Sequence, residues 1–193
     1  MRPKPQIIVL GGPNGAGKST LAPAMLGEFG VQTFVNADVI AQGLSAYNPD
    51  TVSMEAGRLM LARLRELAAE RRSFAFETTL SGRSYATWLK RRIDDGYAVH
   101  LAFIWLRDWK LSLERGAVRT QVGGHSIPRE DIERRYERTI RNFLRLYAPL
   151  AESWRVYDNS GTGRFAEVAS GSYEHVNHIT DSTGWDRFRS LGR

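Results

Sequence analysis

The segment "IIVLGGPNGAGKST", residues 7–20, constrains the fold more than any other part of this chain. Gly12, Gly17, Lys18 and Ser19 satisfy the pattern G-x-x-x-x-G-K-[ST]. A short apolar run rich in β-branched residues precedes the pattern, and the helix that follows is predicted to begin at Lys18. The motif therefore lies in the strand, loop and helix context that it requires, and the sequence predicts a phosphate-binding loop and nucleotide binding.

A loop of this kind holds a triphosphate mainly with its backbone. Successive N–H groups of residues 14–18 are expected to form an anion nest, helped by the positive end of the following helix. Lys18 should reach the β- and γ-phosphates, and the Ser19 hydroxyl should ligate a metal ion. We therefore expect ATP and Mg²⁺ as cofactors. The residues predicted to contact ATP in this loop are Gly12, Pro13, Asn14, Gly15, Ala16, Gly17, Lys18, Ser19 and Thr20.

The rest of the chain alternates short apolar strands with helices. Strands are predicted at 6–10, 33–38, 73–79, 97–106 and 154–161, and helices at 18–26, 50–72, 84–96, 109–121 and 128–147. This alternation predicts a parallel sheet with helices on both faces, whose strands present their carboxyl ends to one ligand-binding edge. We expect an α/β, three-layer P-loop NTPase fold with a five-stranded, mainly parallel sheet and a helical lid at about 112–130. After Gly161 we expect a short C-terminal antiparallel appendage and a terminal helical turn.

Length and composition favour one domain, residues 1–193. The absence of cysteine excludes disulfides and thiolate metal sites. No apolar run approaches the roughly 18 residues of a membrane span, so we expect a cytoplasmic protein without a membrane partner.

Two carboxylates are predicted to follow strands at the ligand-binding edge. Asp38 ends "FVNAD" and is expected to orient or deprotonate the hydroxyl group of an acceptor, although it would also suit the cap of a helix that begins near Val39. Glu77 ends "FAFE" and could hold acceptor hydroxyls or water on the magnesium, or bond nearby backbone. Thr78 and Arg83 would extend the acceptor pocket. These groups favour a kinase over a motor or transport ATPase.

The chain resembles the zeta-toxin-like P-loop kinases. The resemblance depends on five segments in order: "GGPNGAGKST", "FVNADVIAQGL", "FAFETTLSGRSY", "ERGAVRTQVGGHSIP" and "VYDNSG". It implies Lys18 for phosphate, Asp38 as general base, and Glu77, Thr78 and Arg83 for the acceptor. It also implies that lid arginines contact the γ-phosphate and that the turn at Asn159 lies beside the adenine.

The lid segment departs from the family pattern. His125 occupies the place before x-x-Pro where the family has an arginine, and it is expected to be a loop residue rather than a ligand. Arg115 and Arg119, four residues apart on one helix face, are predicted to supply that charge, and an exposed helix surface is the alternative for both.

The sequence thus predicts an ATP-dependent small-molecule kinase, with UDP-N-acetylglucosamine or a related sugar nucleotide as the acceptor that the resemblance implies. An antibiotic phosphotransferase of the chloramphenicol type and a nucleotide-dependent nucleic-acid-binding ATPase are the alternatives, and an antitoxin partner is left open. The net charge of +6 would suit nucleic acid, but Glu130 and Glu137 stand four residues before Arg134 and Arg141. That arginine stripe is therefore predicted to be a solvated face, and we do not expect nucleic acid as a partner.

Overall fold

The computed structural model describes residues 3–117, 129–161 and 165–193. Within these ranges a seven-stranded sheet has the order β2-β3-β1-β4-β5-β6-β7. The strands are β1 (Gln6–Gly11), β2 (Phe34–Val35), β3 (Phe74–Thr78), β4 (Ala98–Trp105), β5 (Ser153–Asp158), β6 (Ala166–Ser172) and β7 (His175–Ile179). Strands β1 to β5 are parallel to one another, whereas β6 is antiparallel to β5 and β7 is antiparallel to β6.

Helices connect the strands and cover both faces of the sheet. They are α1 (Lys18–Phe29), α2 (Ala37–Leu44), α3 (Ser53–Ala69), α4 (Ser84–Asp94), α5 (Trp109–Ala117), α6 (Arg129–Asn142) and α7 (Ser182–Leu191). A π-helical segment, Phe143–Tyr147, continues α6, and short 3₁₀ turns lie at Pro49–Val52 and Ala148–Leu150. The predicted α/β fold with helices around a mainly parallel sheet is confirmed.

The predicted antiparallel C-terminal segment is confirmed, but the prediction of five strands is wrong, because this segment adds β6 and β7 to the edge of the sheet. Strand β6 pairs along β5, with Gly171 opposite Trp154 and Ala169 opposite Val156, and β7 pairs with β6. This pairing satisfies the backbone groups on the outer edge of β5, which would otherwise be exposed. The predicted terminal helical turn is the ten-residue helix α7, which buries Trp185 and Phe188.

The core lies on the two faces of the sheet, and alternation along β1 divides it. Ile7 and Val9 face the larger side with the aromatic rings of Phe76, Phe103 and Trp105, whereas Ile8 and Leu10 face the side covered by α1. All are fully buried. The continuous apolar run of β1 is thus explained by burial on both faces, which is typical of a central parallel strand. Within the described residues, no helix is sufficiently long and apolar to cross a membrane.

Candidate active site

The phosphate-binding loop connects β1 to α1, as the sequence predicts. Two of its glycines are required by the backbone. Gly12 has a φ of 139°, and a Cβ there would lie 2.2 Å from the carbonyl oxygen of Ile104. Gly17, immediately before α1, has a φ of 93°, and a Cβ there would lie 2.7 Å from Nδ2 of Asn159. The loop therefore packs directly against the ends of β4 and β5, and larger residues would displace it.

The side chain of Lys18 folds back over the phosphate-binding loop. Its side chain is only 7% exposed, and Nζ donates a hydrogen bond to the carbonyl oxygen of Pro13 at 3.0 Å. Nζ also lies 4.0 Å from Oε1 of Glu77. The carbonyl oxygen of Pro13 and the carboxylate of Glu77 offset the free-energy cost of burying the Lys18 ammonium.

Ser19 and Glu77 meet although 58 residues separate them. The Ser19 hydroxyl donates to Oε2 of Glu77 at 2.7 Å, and the Glu77 side chain is 11% exposed. The parallel pairing of β1 with β3 places Glu77 opposite Leu10, so the end of β3 lies beside the start of the loop. A hydroxyl group, a carboxylate and the Lys18 ammonium therefore share one small volume beside the phosphate loop.

Asp38 lies exposed in the first turn of α2. Asn36 is the residue that caps this helix, because its Oδ1 accepts from the N–H groups of Asp38 at 2.7 Å and Val39 at 3.3 Å. The alternative in which Asp38 caps the helix is therefore wrong, and its carboxylate is not required for capping. Asn36 also donates from Nδ2 to Oγ of Ser19 at 3.5 Å, which places the start of α2 next to the phosphate loop.

Strands β1 and β2 are not neighbours in the sheet. Strand β3 lies between them, so the carboxyl end of β3, with Glu77, is the neighbour of the phosphate loop. The start of α2 still lies close to the phosphate loop, because the side chain of Asn36 contacts Ser19. Glu77 and Asp38 therefore lie on the same edge, with Glu77 next to Ser19.

Thr78 and Arg83 belong to the loop that follows β3. The Thr78 hydroxyl accepts from the N–H of Leu80 at 3.3 Å, and Arg83 is exposed immediately before α4. The C-terminal part of the chain holds this loop. Asn142 donates to the carbonyl oxygen of Leu80 at 2.8 Å, and the Tyr147 hydroxyl donates to that of Gly82 at 2.6 Å. The position of the loop is fixed, and the contacts of Thr78 and Arg83 with an acceptor stay a prediction.

Asn159 joins the turn after β5 to the phosphate loop, since its Nδ2 donates to the carbonyl oxygen of Ala16 at 2.8 Å. Arg115 on α5 also binds this turn. Its guanidinium donates to the carbonyl oxygens of Asn159 at 2.7 Å and of Ser160 and Gly161 at 3.4 Å each. The guanidinium is thus held by the turn predicted to contact adenine. Of the remaining lid predictions, Arg119 and His125 lie outside the described residues.

Two further residues at this edge were missed by the sequence analysis. Ser112 on α5 is buried and donates to the carbonyl oxygen of Asn14 at 2.6 Å, so α5 contacts the phosphate loop directly. Asn36 carries a local signal that could have identified it, because asparagine immediately before a helix is a strong capping residue. No local pattern indicates Ser112, because its partner lies 98 residues away.

Ion pairs between charged side chains also stabilise the turn at residues 159–161. Arg107 donates from Nε to Asp158 at 2.6 Å and from Nη2 to Asp181 at 3.0 Å. Asp158 in turn accepts from the backbone N–H of Ser160 at 2.8 Å, and Asp181 caps α7. The C-terminal helix is therefore connected to the turn beside the phosphate loop through ion pairs that are partly shielded from solvent.

The fold and this arrangement define a class of protein. A buried parallel strand delivers a glycine-rich phosphate loop with its lysine and serine, and a carboxylate from the neighbouring strand meets both. This is the site of a P-loop phosphotransferase. The family model described as "Zeta toxin" matches residues 1–167, so the chain belongs to the zeta toxin family.

The individual relatives described below are 17–32% identical to this chain. A curated protein of Haemophilus influenzae, described as uncharacterised, is 32% identical over 125 residues, which make up 65% of this chain and 88% of that protein. The solved complex of AvrRxo1-ORF1 with AvrRxo1-ORF2 and sulphate ions superposes with a TM-score of 0.74 at 17% identity. The match covers 98% of this chain and 65% of the AvrRxo1 chain, so this chain spans about two thirds of that protein.

A second solved structure comes from the PezAT chromosomal toxin–antitoxin system of Streptococcus pneumoniae. It superposes with a TM-score of 0.69 at 19% identity, and the match covers 97% of this chain and 78% of the other. At such low identity these likenesses establish the shared fold.

Proposed function

We propose that this protein is an ATP-dependent kinase that transfers the γ-phosphate of ATP to a hydroxyl group of a small acceptor. The observation that carries the proposal is the 2.7 Å hydrogen bond from Ser19 to Glu77, with Nζ of Lys18 4.0 Å from the same carboxylate. Phosphoryl transfer depends on positioning and on neutralisation of charge, and this cluster collects the necessary groups beside a phosphate loop. One solved AvrRxo1-ORF1:ORF2 structure that shares the fold contains ATP.

The residues of the cluster fit a magnesium ion. Mg²⁺ prefers hard oxygen ligands and is usually bound by one or two carboxylates together with substrate phosphates and water. The Ser19 hydroxyl and the Glu77 carboxylate provide oxygens of this kind within hydrogen-bonding distance of each other. When bound, the ion neutralises charge on the β- and γ-phosphate oxygens. Ser19 would be a ligand of the ion, and Glu77 would accept hydrogen bonds from water on the ion.

Lys18 supplies the mobile cation of the proposed reaction. Its ammonium bonds the carbonyl oxygen of Pro13 within the loop and would exchange that partner for β- and γ-phosphate oxygens. The exchange costs little, because one oxygen acceptor replaces another in a site that is already shielded from solvent. Asn159 and Arg115 would hold the turn against the nucleotide from the other side.

Asp38 is the proposed general base. Its carboxylate is exposed at the edge that holds the phosphate loop, two residues after the asparagine that contacts Ser19. It would accept the proton of the acceptor hydroxyl as that oxygen attacks the γ-phosphorus and the bond to the β-phosphate oxygen breaks. The lid predicted at about 112–130 would exclude water, since water would otherwise compete with the acceptor.

Membership of the zeta toxin family makes a sugar nucleotide such as UDP-N-acetylglucosamine the acceptor that we propose, with Thr78 and Arg83 in its pocket. A protein antitoxin is a reasonable partner for the same reason, since one of the similar solved structures belongs to a toxin–antitoxin system.

The test is transfer of labelled γ-phosphate from ATP to a panel of nucleotide sugars, antibiotics of the chloramphenicol type and nucleosides. We expect a labelled nucleotide sugar, and we expect Asp38→Asn to reduce transfer by about 10²- to 10⁴-fold while ATP affinity stays nearly unchanged. Asp94→Asn, at the exposed end of α4, is the matched control and should be fully active. Turnover that depends on added DNA or RNA, with no labelled small molecule, would refute the proposal.

A further inference from the structure

A groove of about 480 Å³ lies at the amino ends of the parallel strands, away from the phosphate loop. Its floor is aromatic. The rings of Trp154 and Trp185 stack with centroids 5.7 Å apart and planes 18° from parallel, and Nε1 of Trp154 donates to the carbonyl oxygen of Tyr173 at 3.0 Å. Ala148 and Pro149, which precede β5, complete the floor. The groove is therefore built from the core of the fold.

The rim of this groove is basic and partly apolar. Arg145, Arg189 and Arg193 line it with exposed side chains, against the single acidic side chain of Glu174. Tyr173 and Val176 also line the groove, and they are 49% and 43% exposed. Large apolar side chains that remain exposed beside a positive rim are typical of a binding surface rather than of an inert one.

Strand β7 forms the free edge of the sheet on this side. It is the last strand in the order, and all five of its residues are exposed within the described part of the chain. It carries neither the lysine nor the proline that commonly protects an edge strand. Val176 in β7 lines the groove, as does Glu174 immediately before the strand, so β7 begins at the groove wall. A strand added to β7 would therefore place every second side chain on the groove side.

We propose that this surface binds an acidic peptide segment of another protein, which adds a strand to β7. Backbone hydrogen bonds along the free edge would fix the segment, and an apolar side chain would enter the groove. Aspartate or glutamate side chains would meet Arg145 and Arg189. A second copy of this chain is a poorer occupant, because pairing β7 with itself would bring two identical sets of arginines together.

The position of the surface predicts that the partner does not compete with nucleotide. The phosphate loop follows the carboxyl end of β1, whereas residues 148–150 and Tyr173 lie towards the amino ends of the strands. A segment bound there leaves the phosphate loop open. The proposal is thus independent of the kinase reaction, and it can fail or succeed whatever the catalytic tests show.

The experiment is selection of binders from a displayed library of random peptides on the full chain, followed by measurement of the affinity of the selected peptides for an Arg145→Glu, Arg189→Glu double variant. Both arginines are exposed, and their replacement should leave the fold intact, which thermal unfolding verifies. We expect selected peptides to be rich in Asp and Glu with alternating apolar residues. Their affinity should fall at least tenfold in the double variant and stay the same in Arg91→Glu, an exposed control on α4.

Two further readouts test the mode of binding. Amide exchange of residues 175–179 should slow when a selected peptide is bound, because β7 gains a hydrogen-bonded neighbour, and saturating Mg-ATP should leave the peptide affinity unchanged. Val176→Asp, which places a negative charge in the groove wall, should weaken the peptides as the double variant does. Peptides without acidic enrichment, binding that the arginine variants do not affect, or unchanged exchange along β7 would each overturn the proposal, as would a chain that dimerises through β7.

Discussion

The Ser19 hydroxyl donates a hydrogen bond to the Glu77 carboxylate at 2.7 Å, and this contact joins the first turn of α1 to the end of β3. The parallel register of β1 and β3 makes the contact possible, because it places Glu77 level with Leu10, immediately before the phosphate loop. The arrangement supports the role that we propose for Glu77. It lies where it can organise water and metal around the serine.

Replacement of Glu77 by glutamine tests this role. Glu77→Gln keeps the size of the side chain and an oxygen that can accept from Ser19, but it removes the charge. We expect kcat to fall about a hundredfold and the Mg²⁺ concentration for half-maximal activity to rise, because the carboxylate no longer helps to hold the ion and its water. Steady-state kinetics at varied Mg²⁺ measure both. Glu66→Gln, an exposed carboxylate on α3, is the control, and an unchanged Mg²⁺ requirement in Glu77→Gln would contradict the assignment.

Arg115 offers a second test, since its guanidinium bonds three consecutive carbonyl oxygens of the turn at 159–161. Arg115→Lys keeps the charge but cannot span all three acceptors. If the residue holds this turn for the nucleotide, the KM for ATP should rise at least about tenfold with a smaller change in kcat, since one lost charge-assisted hydrogen bond is worth about 1.5–3 kcal/mol. A fall in kcat at unchanged KM would instead support the γ-phosphate contact that the family resemblance implies. Arg91→Lys is the matched control on α4.

The phosphate loop could be predicted from the sequence because its requirements are local. Gly12 and Gly17 adopt positive φ values, and Lys18 begins a helix, so the residues themselves encode the turn. The two carboxylates could be placed at the same edge for a similar reason, as parallel strands end together. What the sequence left open was which strand adjoins β1, because strand order depends on how helices cover the two faces and not on any single segment.

Most of the missed features depend on pairing between distant parts of the chain. The segment after Gly161 has weak alternation and a glycine, Gly171, that makes sense only once Trp154 is known to pack against it, since a Cβ at that position would lie 2.3 Å from the indole ring. Arg115 bonds carbonyl oxygens 44 to 46 residues away, which no spacing rule reveals. Helix boundaries were uncertain for a different reason, because Asn36 and Asp38 are both good capping residues and only the backbone decides between them.

A pair of glycine variants tests how strictly the loop is packed. Gly12→Ala would place a methyl group 2.2 Å from the backbone oxygen of Ile104 at a φ of 139°, and neither the contact nor the conformation can relax cheaply. We expect a loss of about 4 kcal/mol or more in the free energy of unfolding, measured by urea denaturation. Gly27→Ala, in α1 with open space around the new methyl group, should instead stabilise the protein by about 0.5–1 kcal/mol. Similar effects of the two substitutions would show that the close packing of Gly12 is not what holds the loop.

The half-buried side chain of His100 on β4 predicts a dependence of stability on pH. Its Nδ1 lies 2.8 Å from the Ser153 hydroxyl, and its ring lies 4.4 Å from that of Phe29. Burial lowers the pKa of His100 below its ordinary value of about 6.5, although the carboxylates of Glu152 and Glu28 act in the opposite direction. The folded protein therefore binds fewer protons here than the unfolded chain, so the contribution to stability is complete above about pH 6.5 and is lost as the pH falls through the folded pKa.

The measurement is the free energy of unfolding by urea between about pH 7.5 and pH 5.5, the range in which histidine titrates. We expect the wild-type protein to lose stability across this range and His100→Gln to lose less, since glutamine does not titrate and can still bond Ser153. Glu28 does not contribute to the change in stability over this pH range. Hydrogen bonds from Arg155 at 2.6 and 2.7 Å lower the pKa of Glu28 from 4.5, so its contribution disappears only at more acidic pH. His178→Gln, exposed on β7, should behave as the wild type does, and equal pH slopes in His100→Gln and wild type would refute the prediction.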